Sequence, residues 1–126
     1  AVSWGELIDK ITILEIKRAR LGDAAQRANV ETEYAILRRA RDAALPPGAD
    51  IAADTQALLA VNQALWDIED DIRACERAQD FGPDFIELAR AVYITNDRRA
   101  AIKRRLNQAL GSDLIEEKSY TDYTSG

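Results

Sequence analysis

Between Leu58 and Cys75 the apolar residues return at alternating steps of three and four: Leu58, Val61, Leu65, Ile68, Ile72 and Cys75. Helical geometry, at about 100° per residue, keeps these positions on one narrow seam, whereas a strand sends successive side chains to opposite faces. A seam of this kind is what antiparallel helices bury against one another. The fold class follows: all-α, an antiparallel helical bundle of about four helices.

Start and stop signals divide the chain to match. Ser3 with Glu6 fits a capping box, and Gly22 is placed to close the same helix in a left-handed conformation, giving a first helix from about Trp4 to Leu21. Asp23 caps a second helix that runs to about Ala44, where "LPPG" stops it, because proline donates no amide and pushes the preceding residue out of helical geometry. Asp50 caps the third. "QDFGPD" makes the next turn, and a fourth helix runs from about Asp84 to Leu110 with Gly111 at its end. Helices three and four thus form a long hairpin. Residues 112–126 are expected to be a loosely packed tail, either clamped to the bundle by Tyr120 and Tyr123 or left as a free end.

One domain over 1–126 suffices, since folding a chain of 126 residues buries about two-thirds of its surface. A net charge of -5 argues against nucleic acid or an anionic membrane as partner, and no apolar run reaches membrane-spanning length. A single cysteine, Cys75, excludes an intrachain disulfide, and no cationic-then-apolar leader opens the chain, so a cytoplasmic setting is expected. Methionine is absent even at position 1, so the native start is expected to lie upstream, with a trimmed leader left open. Histidine is absent too, removing the commonest general base and metal ligand. No metal and no cofactor are expected.

"WDIEDDIR", Trp66 to Arg73, packs four carboxylates into five positions. On a helix they scatter: Asp70 points away from the seam, Asp67 and Asp71 share one flank, and Glu69 lies on the other with Asn62 and Glu76. They cannot close around one ion, so the plain expectation is a solvated face. From Arg98 to Arg105 five bases occur without an acid. Folding the hairpin about Phe81 and Gly82 brings those bases against residues 58 to 65, offset from the acidic stretch.

Core logic breaks on helix four. Phe85, Leu88, Val92, Leu106 and Leu110 share one stripe, yet Arg99 lies in its middle, with Asn96 and Lys103 beside it. Helix one repeats this: Trp4, Leu7, Ile8, Ile11 and Leu14 define the stripe, then Arg18 falls on its centre and Glu15 at its border. An unpaired guanidinium inside a bundle is costly, so Arg99 must find a carboxylate, for which Glu69 and Glu15 are the candidates, or reach a cleft or an anionic ligand. Two outcomes remain open. The plainer is a buried ion network that fixes register; the functional one is a small cleft lined by Arg18, Glu69, Asn96, Arg99 and Lys103 that holds an acidic metabolite.

Ile13 and Ile16 lie opposite the main stripe of helix one. A helix apolar all round is either central or at a subunit contact, and a homodimer through this face is expected, with Ile94 and Ala101 able to join it. Trp66 is expected to pack on a neighbouring helix, and Cys75 to be an inert core thiol.

The segments "SWGELIDKITILEIK", "NQALWDIEDDIRACE", "DFGPDFIELARAVYITNDRRAAIKRRLN" and "EEKSY" together resemble a family of small bacterial proteins catalogued only as a domain of unknown function. The resemblance covers nearly the whole chain and implies an all-helical cytoplasmic protein; it carries over no functional residues. More faintly, "LIDKITILEIKRARL" looks like the opening helix of the all-helical chorismate mutases, which hold a dicarboxylate with Arg, Lys and Glu from several helices, as Arg18, Arg99, Lys103 and Glu69 would. The rest of that motif is not visible. Glu6 with Asp9, and Asp67 with Asp70, imitate the paired magnesium carboxylates of all-helical nucleotide pyrophosphohydrolases poorly, since on the wheel Asp9 and Asp70 both point away from the core. The expected function is accordingly an interaction or scaffold module, homodimeric, with a small-anion-binding protein or enzyme as the alternative.

Overall fold

The computed structural model describes residues 3–110. The expectations for Gly111, Tyr120, Tyr123 and the tail lie outside them. Four helices follow in order: α1 (Trp4–Arg20), α2 (Ala24–Ala44), α3 (Ala52–Arg77) and α4 (Pro83–Leu110). Local chemistry sets most of the ends. The Ser3 hydroxyl accepts the Glu6 amide at 3.2 Å and starts α1. Asp23 accepts the Gln26 amide at 3.0 Å and starts α2. Leu45 is driven into extended geometry ahead of Pro46, and Pro47 and Gly48 (φ 80°) then form a turn closed by the Ala49 amide on Pro46.

Two ends depart from expectation, and a third has a left-handed residue other than glycine. Gly22 is not left-handed; α1 stops because Leu21 turns extended, and the glycine meets open space. Asp50 caps from one residue further out, accepting the Ala52 amide at 3.1 Å while Ile51 holds the cap position. After α3 the left-handed residue is Gln79 (φ 56°), with the Asp80 amide on the Cys75 carbonyl and the Gln79 amide on that of Glu76. That is the hydrogen-bond pattern by which a helix usually ends on glycine. Pro83 then opens α4, where its missing amide costs nothing.

α1 is the central helix. It packs against α2, α3 and α4, whereas α2 packs chiefly on α1. The core is Trp4, Leu7, Ile8 and Ile11 of α1 with Leu58 of α3 and Ile102 and Leu106 of α4. Gly5 lets α1 and α4 approach: a Cβ there would sit 2.6 Å from the Lys103 carbonyl oxygen, and the Gly5 amide donates to Asn107 Oδ1 at 2.8 Å.

Because α1 has 17 residues and α4 has 28, the hairpin helices run past the end of α1 at the common rise of about 1.5 Å per residue. The result is a projecting arm. From Trp66 to Ile94 no residue is fully buried, and the arm is held by the half-buried seam of Ile68, Ile72, Cys75, Phe85, Leu88 and Val92. The basic stretch is offset from the acidic one, but Arg105 reaches Asp54 at 3.0 Å, about one helical turn beyond the expected 58 to 65.

Candidate functional site

Arg99 does find a carboxylate, and it is Asp9 of α1. Its Nε donates to Oδ1 at 2.9 Å and its Nη2 to Oδ2 at 2.5 Å, a bidentate pair. Asn62 Nδ2 donates to the same Oδ1 and to Thr12 Oγ1, both at 2.9 Å, and the Thr12 hydroxyl donates to the Asp9 carbonyl oxygen at 2.7 Å. Lys103 Nζ stands 4.0 Å from Oδ2. Asp9 is 5% exposed, Thr12 0% and Asn62 5%. Four side chains from α1, α3 and α4 therefore lock the three helices in register.

Electrostatics agree with the geometry. Burial alone pushes the Asp9 carboxyl up, but hydrogen bonds from Arg99 and Asn62, and the charges of Arg99 and Lys103, outweigh it and hold the pKa below its ordinary 3.8. The hydrogen bond to Asp9 likewise raises Arg99, against the opposing effect of burial. Asp9 is thus a fixed anion near neutral pH, and its lone pairs are largely committed.

The expected placement of Asp9 is corrected here. The wheel set α1's inward face by Trp4, Leu7, Ile8, Ile11 and Leu14, which is right for one side only. Asp9, Thr12, Ile13 and Ile16 recur at three, four and seven and form a second inward stripe, because α1 is central. Ile16 is 3% exposed, so the outward position expected for it is also corrected; Ile13 is half-buried. That spacing was the available signal for Asp9 and Thr12.

The other expected site residues divide. Arg99 and Lys103 come together around Asp9. Glu69 stands at the rim of an open groove of about 310 Å³, whose walls are Ile13, Ile16, Leu65 and Trp66 and whose polar edge is Asn62, Glu69, Arg73 and Arg99. Glu69 is exposed, with Arg73 at 4.0 Å, and Glu15 is exposed too, so neither is the partner of Arg99. Arg18 is elsewhere: it donates to Glu31 of α2 at 2.6 Å and lies 4.3 Å above the Tyr34 ring. Asn96 is exposed and does not line the groove.

The carboxylates of "WDIEDDIR" do not converge. Asp67 pairs with Arg20 at 2.6 Å and Asp70 with Arg73 at 2.5 Å. Among the described residues no group of three or more potential ligands could hold a metal ion. The magnesium analogy also fails at its first pair, since Asp9 is committed to Arg99 while Glu6 is exposed. Trp66 is half-buried on the groove wall, with Arg20 at 5.8 Å from its ring. Cys75 is half-buried on the seam, its thiol pKa raised by burial and then by the neighbouring Asp80, Asp84 and Asp71, so it is poorly nucleophilic.

Fold and site together define an all-α helical bundle with a polar lock inside and a two-helix arm outside. The chain belongs to the DUF6165 family, described as a family of unknown function, whose sequence profile matches residues 1–126. No curated protein and no solved structure matches it. Among the described residues no helix is long and apolar enough to cross a membrane.

Proposed function

We propose that this chain is a protein-interaction module, self-associating as a homodimer, with the α3–α4 arm as its contact element. One observation carries it. Of the five large apolar side chains exposed among the described residues, Phe81 (48%), Ile86 (55%), Tyr93 (73%) and Ile94 (51%) all lie on the arm; only Ile36 lies elsewhere. Exposed apolar surface gathered on one projecting element marks a contact site. The charged cluster at Asp9, by contrast, is what a bundle needs to set its register. A bacterial cytoplasm suits a chain whose single cysteine has no partner thiol and whose described residues include no helix long and apolar enough to cross a membrane. Light scattering on the full chain across a concentration range tests the proposal: a dimer mass is expected, and replacing Ile86, Tyr93 and Ile94 by serine together should return the monomer, with a melting temperature close to that of the wild type diluted until it too is monomeric. A dimer unaffected by the triple change would overturn the arm's role.

A second reading is a small anionic ligand in the groove beside Arg99. In its favour, the bidentate pair uses Nε and Nη2 of Arg99 and leaves Nη1 for the groove, with Arg73 at the same edge. A thermal-shift screen with anionic metabolites, nucleotides and magnesium separates the two. Stabilisation by one acid, lost in Arg73→Ala, favours the ligand; a blank screen with a dimer favours the module.

A further inference from the structure

The arm's outer face has an order of charges that fits its own reversed copy. Along α4 the exposed residues Ile86, Arg90, Tyr93, Ile94 and Asp97 lie on one stripe, with the half-buried Ala101 at its end, at the three- and four-residue spacing of a helix face. Glu87 and Arg98 flank it. Among the described residues none of Glu87, Arg90, Asp97 and Arg98 has an ion-pair partner within the chain, although nine other pairs form within 4.0 Å. The order along the helix is acid, base, apolar centre, acid, base.

We propose that α4 packs antiparallel on α4 of a second copy, about a two-fold axis between Tyr93 and Ile94. Tyr93 and Ile94 of both copies then cluster at the axis. Arg90 meets Asp97 of the partner subunit on each side of it, Glu87 meets Arg98 of the partner subunit, and Ile86 lies by Ala101 of the partner subunit. A parallel arrangement in register would stack Arg90 on its own copy and Asp97 on its own copy, which like-charge repulsion disfavours. Closed two-fold contacts are isologous, so a self-complementary order is what one requires. A single helix-on-helix seam is small beside the about 1,600 Å² of a standard interface, so the dimer dissociates on dilution.

The arrangement rests on the self-association proposed above, and the experiment separates the two. Sedimentation velocity over a dilution series is run on the wild type, Arg90→Asp, Asp97→Arg and the double variant, with thermal melts to confirm that these surface changes leave the fold intact. Each single change puts like charges face to face and is expected to weaken dimerisation at least tenfold; the double change exchanges the charges and should restore it. A wild type that stays monomeric at every concentration overturns both proposals and leaves the face to a different protein. A wild-type dimer that the single changes leave intact, or that the double change fails to rescue, overturns this register while self-association stands.

Discussion

The base of the bundle and its arm are built from the same two helices and held in different ways. At the base, α3 and α4 meet α1, and Leu58, Ile102 and Leu106 are nearly or fully withdrawn from water around Trp4 and Ile8. In the arm the same helices have only each other: the seam is half-buried, and the tip is closed by an edge-on contact of Phe81 with Phe85 at 5.3 Å. Helix length alone produces the contrast, since both helices continue where α1 has ended. A periodic seam therefore says that a helix packs, but the number of neighbours decides how deeply. Amide exchange should follow the same division, with arm amides opening well before those of the base.

The largest effect is expected from unlocking the base. Arg99→Leu strands a buried carboxylate and should cost about 3 to 5 kcal/mol in denaturant unfolding. The same pair sets an acid dependence. Because the folded Asp9 pKa is depressed, its stabilisation is complete above the ordinary 3.8 and is lost as pH falls further, through the folded value. Asp9→Asn should flatten that acid limb of the stability curve. Next in size, Leu58→Ala should cost about 2 to 5 kcal/mol, whereas Ile72→Ala in the arm, at a half-buried position, should cost less; equal losses in matched melts would erase the distinction between the regions. Gly5→Ala should cost about 1 to 3 kcal/mol, as the new methyl forces α1 and α4 apart. Smallest, and opposite in sign, Gln79→Gly relieves a left-handed residue at the arm's tip and should stabilise by roughly 1 kcal/mol.

Four helices, their approximate ends and the long hairpin were legible because caps, prolines and the Leu58 to Cys75 seam act locally. The polar anomaly at Arg99 was legible for the same reason: a cation on an apolar stripe needs only one helix to be noticed. Its partner was not. Choosing Asp9 over Glu15 or Glu69 required knowing that α1 has two inward faces, and that follows from where α2 sits, which no single helix records. Arg18 misled by the same route, since the last turn of its stripe faces α2, where Glu31 and Tyr34 receive it. Gly22 illustrates the converse: a residue permitted to adopt a left-handed turn need not do so when extended Leu21 already ends the helix.

The central position of α1 also orders events during synthesis. The partners of its opening turns are Arg99, Lys103 and Asn107, among the last residues of the bundle to leave a ribosome. Until then the indole of Trp4 lacks the α4 side of its core, Ile102 and Leu106, and α1 has only α2 and α3 for company. A nascent chain arrested before Arg99 should therefore keep that tryptophan quenchable by solvent and be a substrate for chaperones, and burial of Trp4 should switch on only as α4 emerges.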